Sequence, residues 1–131
     1  MTAVLAHTIV PVREQDESVD FYTNVLGFQY DGRDGMNDVF AMICLNDSST
    51  LDLRDSDEIP GLIHHYAFAW DRPNFDRSFQ AIKDSGIPFG DESREAANIR
   101  VLGASTGDKG EILSVYFNDH NGHLLEIITY E

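Results

Sequence analysis

A pattern written twice limits the fold of this chain more than its composition does. From His7 the sequence runs through "HTIVPV", a short apolar stretch with the length of a strand. It continues into "DESVDFYTNVLGF", where Val19, Tyr22, Val25 and Leu26 recur at helical spacing. Asp16 or Ser18 can cap that helix, and Gly27 suits its end. "VFAMICL" and "STLDLRD" then read as strands separated by the turn-forming "NDSS". From His65 the order returns. "HYAFAW" reads as a strand, and "NFDRSFQAIKDSGI" as a helix with Phe75, Phe79 and Ile82 for its stripe, Asn74 for its cap and Gly86 for its stop. "EILSVYF" and "HLLEIITY" read as strands across "NDHNG", whose Asn-Gly pair signals a hairpin. Strand, helix and strands, twice over, predict an α+β chain. Its two similar modules lie at about 4–55 and about 62–131 of a single domain spanning 1–131.

This register matches His7 with His65, and Asp52 in "TLDL" with Glu126 in "LLEI". The His-to-acid spacings are 45 and 61 residues because the second copy is longer, mostly between Gly90 and Gly110. Strand alternation puts His65, Ala67 and Ala69 on one face and His64, Tyr66, Phe68 and Trp70 on the other. The bulky face suits packing under a helix, with His64 on that side, hydrogen-bonded and replaceable. The small face leaves room for a ligand beside His65. Glu126 interrupts an apolar run between Leu125 and Ile127, where an ionised carboxylate needs a partner. A divalent cation would satisfy two imidazoles and one or two carboxylates together. Such a set, with open positions, suits Fe(II), Mn(II), Ni(II) or Zn(II). His7, His65 and Glu126 are the expected ligands, with Asp52 a fourth whose shorter side chain reaches less far.

Composition narrows the partners. The chain has 131 residues with 9 Lys and Arg against 23 Asp and Glu, a net charge of −14, which repels nucleic acid and anionic lipid surfaces. No apolar run approaches the roughly 20 residues needed to span a bilayer. The single Cys44 cannot form an internal disulfide, and "MTAVLAHTIVPV" lacks the features of a secretory signal, so a cytoplasmic protein is expected. The stretch "REAANIRVLGASTGDKGEI", with Arg94, Arg100 and Lys109, reads either as a flap supplying a cation to an anionic substrate or as a solvent loop.

"HTIVPV", "SVDFYTNVLGF", "HHYAFAW" and "SVYFNDHNGHLLEI" together resemble the vicinal-oxygen-chelate superfamily, the glyoxalase, bleomycin-resistance and extradiol-dioxygenase group, over essentially the whole chain. The resemblance implies two βαβββ modules, each a curled half-barrel, with a metal in the cleft held by His7, His65 and Glu126. Asp52 falls where glyoxalase-type members use a further Glu or Gln. Tyr116 falls where fosfomycin-resistance and extradiol members place an active-site Tyr; it also reads equally as a core residue. The implied chemistry is metal-dependent action on a small substrate with two adjacent oxygens, with Glu126 and Tyr116 catalytic and a homodimer expected. A glyoxalase-like lyase or isomerase leads. An Fe(II)-dependent extradiol-type dioxygenase and a metal-free, drug-sequestering protein of the bleomycin-resistance type are the alternatives. Four protein ligands, Asp52 included, would favour proton chemistry, and three would favour O2 chemistry. Pro11 stands where glyoxalase I carries a glutathione-binding Arg. The Arg that fosfomycin transferases carry beyond the terminal Glu has no counterpart after Glu126.

Overall fold

Both histidines that open the repeat open strands in the computed structural model, which describes residues 2–58, 63–90, 103–107 and 110–130. The chain divides into two compact units, 1–62 and 63–131. The first runs β1 (His7–Val12), α1 (Gln15–Asp20), a wider π-type turn (Phe21–Val25), β2 (Gln29–Asp34), β3 (Phe40–Asn46) and β4 (Ser49–Asp55). Its mixed sheet has the order β1-β4-β3-β2, with β1 parallel to β4 and the other pairs antiparallel. Val10, Val12, Ala41, Ile43, Leu51 and Leu53 alternate onto one face and are buried with Phe21, Tyr22 and Leu26.

The second unit runs β5 (His65–Ala69), α2 (Arg72–Asp84), β6 (Phe89–Gly90), β7 (Gly103–Gly107), β8 (Gly110–Asn118) and β9 (Leu124–Thr129). Its sheet has the order β5-β9-β8-β6, with β7 also paired to β8 and β5 parallel to β9. Phe75, Phe79 and Ile82 of α2 are buried, as their spacing predicts, as are Phe68, Val115, Phe117, Leu125 and Ile127 of the sheet. Each such side chain contributes about 1.5–3 kcal/mol by leaving water. The described residues thus form an α+β fold, two mixed sheets with few helices. No helix among the described residues is long and apolar enough to cross a membrane.

Several local expectations are corrected. Neither Asp16 nor Ser18 caps α1. Its N-cap is Glu14, whose side chain makes no cap bond, and the Gln15 N–H at the helix start is instead taken by Asp55 Oδ1 of β4 at 2.9 Å. The buried stripe is Gln15, Ser18, Phe21, Tyr22 and Leu26 rather than one that includes Val19 and Val25. Adjacent Phe21 and Tyr22 both turn inward because the helix widens there, with Leu26 N–H donating to the Phe21 carbonyl at 3.2 Å. In α2 the cap is Asp71, whose Oδ1 accepts the Asn74 N–H at 2.9 Å; Pro73 fits the first turn, so the helix starts before Asn74. Gly27 and Gly86 do end their helices, at φ of 92° and 72°.

Candidate functional site

The two parallel ladders share one register. In the first unit His7 stands opposite Thr50 and Ile9 opposite Asp52. In the second His65 stands opposite Leu124 and Ala67 opposite Glu126. The acid therefore lies one pleat beyond the histidine on the same face in both units. On β3 and β8 the next residue across is Met42 beside Asp52 and Tyr116 beside Glu126. The first unit puts a thioether where the second puts a phenol. Asp52 Oδ1 is instead bonded by the Thr50 hydroxyl at 2.9 Å.

In the second unit the face opposite the hydrophobic core consists of His65, Ala67 and Ala69 on β5, Leu124, Glu126 and Ile128 on β9, and Ser114, Tyr116 and Asn118 on β8. His65, Ala67 and Ala69 are exposed, whereas Glu126 is only 7% exposed. The His65 ring donates Nδ1–H to the Leu124 carbonyl at 3.1 Å, which leaves the lone pair of Nε2 on the side of Glu126. Nε2 and Glu126 Oε1 are 3.7 Å apart, too far for a hydrogen bond. That gap lies within the roughly 4.2 Å that two donors can span around a shared cation with bonds of about 2.1 Å. A histidine whose other nitrogen is tied to a backbone carbonyl is also the usual arrangement of a metal ligand. His65 and Glu126 thus fit a divalent ion.

Tyr116 completes the group. Its ring lies parallel to that of His65, 6.4 Å between centroids and 17° between planes, and it stands directly across from Glu126 in the β8–β9 pairing. Burial raises the Glu126 pKa above the ordinary carboxylate value; the Tyr116 hydroxyl and the nearby His65 offset this only in part. Burial, then the charge and hydrogen bond of Glu126, raise that of Tyr116. Tyr116 is a neutral donor at neutral pH, and a cation bound beside Glu126 would favour its ionised form.

His64 lies on the other side of β5, as alternation predicts, with Nδ1 2.5 Å from the Tyr66 hydroxyl. Burial first, and His123 second, lower its pKa. His123 is a residue to which the sequence assigns no role. It is fully buried, and its Nδ1 accepts the backbone N–H of His64 at 2.9 Å. Its place just after Asn121-Gly122, in the stretch "SVYFNDHNGHLLEI" at the head of the last strand, was the available signal.

His7 is exposed at the start of β1 and Asp52 half-buried on β4. Among the described residues, no three of His, Cys, Asp and Glu gather closely enough to hold a metal. Of the flap expected between 94 and 112, residues 103–107 form β7, while Arg94, Arg100 and Lys109 lie outside the described residues.

Comparison with known proteins adds an independent line. The family model described as the Glyoxalase/Bleomycin resistance protein/Dioxygenase superfamily matches residues 4–127. Among solved structures, "Oxidase ChaP-H2" is 28% identical with a TM-score of 0.81, covering 100% of this chain and 96% of that one. "Oxidase ChaP-H1" is 27% identical with a TM-score of 0.80, covering 99% and 98%. A glyoxalase/bleomycin resistance protein/dioxygenase from Alicyclobacillus acidocaldarius shares the fold at 23% identity and a TM-score of 0.66, covering 97% and 91%. No curated protein sequence matches the chain.

Proposed function

The chain belongs to the Glyoxalase/Bleomycin resistance protein/Dioxygenase superfamily, and from that premise we propose that it is a metal-dependent enzyme that oxidises a small substrate carrying two adjacent oxygens. The observation that carries the reading is the pair of donors in the second unit: the Nε2 lone pair of His65 and the buried Glu126 carboxylate, 3.7 Å apart on the face away from the core. Full-length similarity to two structures titled as oxidases supports oxidation as the reaction type. The same reading assigns the equivalent pair of the first unit, His7 and Asp52, as metal donors.

A bound Fe(II) or Mn(II) would supply Lewis acidity toward the substrate oxygens and a route for electrons to O2. The protein's own groups do the rest. His65, held by Leu124, presents a fixed nitrogen. Glu126 would hold the ion through its carboxylate. Tyr116, kept neutral, donates a hydrogen bond to a substrate oxygen or back to Glu126. Ala67 and Ala69 leave space above β5 for the remainder of the substrate.

A glyoxalase-like lyase or isomerase is the second reading, favoured by the buried Glu126 carboxyl facing Tyr116 across β8 and β9, which suits a group that shuttles a proton. Oxygen uptake separates the two. Fe(II)-loaded protein given catechols and hydroxylated aromatic ketones should consume O2 in proportion to product. Turnover of a 2-oxoaldehyde adduct under anaerobic conditions, with no O2 uptake on any vicinally oxygenated substrate, would overturn the oxidase reading in favour of the other.

A further inference from the structure

The turn between β8 and β9 is tied to the ring of His65 by a continuous series of hydrogen bonds. Asp119 Oδ1 accepts the N–H groups of Asn121 and His123, each at 2.9 Å, and the Asp119 N–H donates to the His123 carbonyl at 3.2 Å. His123 is thereby held in a site with 0% exposure. Its Nδ1 accepts the His64 N–H at 2.9 Å, the His64 carbonyl accepts the Leu124 N–H at 2.9 Å, and the Leu124 carbonyl accepts Nδ1–H of His65 at 3.1 Å. The backbone of His64 is therefore clamped at both its N–H and its carbonyl.

The clamp has a physical reason. Within the sheet, β5 meets β9 from His65 onward, so the N–H of His64 precedes the ladder and needs another acceptor. The His123 imidazole supplies it and extends the pairing by one residue. Slippage of β5 by a single residue would exchange His65 for His64 on the face that carries Glu126. Two adjacent histidines make that alternative chemically close, so the register needs a specific lock.

We propose that His123 is a positioning residue, whose Nδ1 locks the backbone of His64 and so fixes the register and ring orientation of His65 relative to Glu126. The proposal rests on the reading of His65 as a metal ligand, and its mechanical part is independent of any metal. The side chain acts through backbone bonds and never touches substrate.

Two variants separate positioning from simple filling of the interior. His123→Asn keeps an acceptor oxygen close to the place of Nδ1, and His123→Leu keeps apolar volume without an acceptor. Two readouts apply to metal-stripped protein, held below each variant's unfolding temperature. Co(II) titration should show affinity weakened by about tenfold or more in His123→Leu and kept within about threefold in His123→Asn, since the Leu124 carbonyl that orients the ligand would be displaced in the first and held in the second. Long-range proton-nitrogen NMR of the His65 ring, before metal is added, should show one Nδ1–H tautomer in the wild type and His123→Asn, and a mixture in His123→Leu. A single tautomer and unchanged affinity in His123→Leu would overturn the proposal, as would equal defects in both variants. A wild-type protein that fails to bind Co(II) would overturn the metal reading instead, with the tautomer comparison still deciding the role of His123.

Discussion

Replacing Glu126 by Gln should make the metal-free protein more stable at alkaline pH and less able to hold a metal. Glu126 is 7% exposed between Leu125 and Ile127, both fully buried. Its compensation is the nearby Tyr116 hydroxyl and a His65 nitrogen 3.7 Å away, whose ring already donates its other N–H to Leu124. Burial wins, and the folded-state pKa lies above the ordinary value of 4.5. The sign follows from linkage. The folded state holds this proton more tightly than the unfolded state, so the wild type loses stability relative to the Glu126→Gln variant as pH rises from the unfolded value through the raised one. One proton sets a slope of at most about 1.4 kcal/mol per pH unit, and each such unit corresponds to about 5 °C in Tm for a chain of this size. Above the folded pKa the difference levels off. The assay is urea unfolding of metal-stripped wild type and Glu126→Gln from pH 4 to pH 8. A saturating metal reverses the order, since free metal at 100 times its Kd adds about 2.7 kcal/mol to the protein that binds it. A stability difference independent of pH, or a wild type that gains on the variant as pH rises, would refute the reasoning.

Three further outcomes are expected. Tyr116→Phe removes the hydroxyl that favours the ionised carboxylate, so Glu126 should titrate at higher pH than in the wild type, read by carbon NMR of its carboxyl. Ala69→Leu places an isobutyl group two residues along β5 from Ala67 and should raise KM about tenfold while leaving metal content unchanged, as expected if it takes up substrate space. Asp71→Ala removes the α2 cap and should cost about 1 kcal/mol in urea unfolding with the metal affinity unaltered.

How legible each part was depends on the range of the interaction that decides it. The strands beginning at His7 and His65, the stripe of α2 and the turns at Gly27 and Gly86 follow from periodicity and backbone conformation within a few residues. So does the face that His65 shares with Ala67 and Ala69, whereas Tyr116 comes beside Glu126 through the pairing of β8 with β9. The cap of α1 was not legible, since Asp55 reaches Gln15 across 40 residues. Nor was β2, whose sequence "QYDGRD" is polar and exposed, with Gly32 at φ of 89°, and which is held by its pairing to β3. β7 is a strand of small and polar residues that forms by pairing with β8, so no local preference announces it. His123 went unassigned for the same reason, because its partner His64 lies 59 residues away.

The most direct measurement is the metal content of protein purified without an affinity tag, compared among the wild type, His65→Ala and His64→Ala. Stoichiometric metal is expected in the wild type and His64→Ala, since His64 is occupied by Tyr66 away from the Glu126 face, and its loss is expected in His65→Ala. Metal retained by His65→Ala and lost from His64→Ala would contradict the assignment of the site. A wild type that neither carries metal nor takes it up on reconstitution would contradict the metal-dependent enzyme itself.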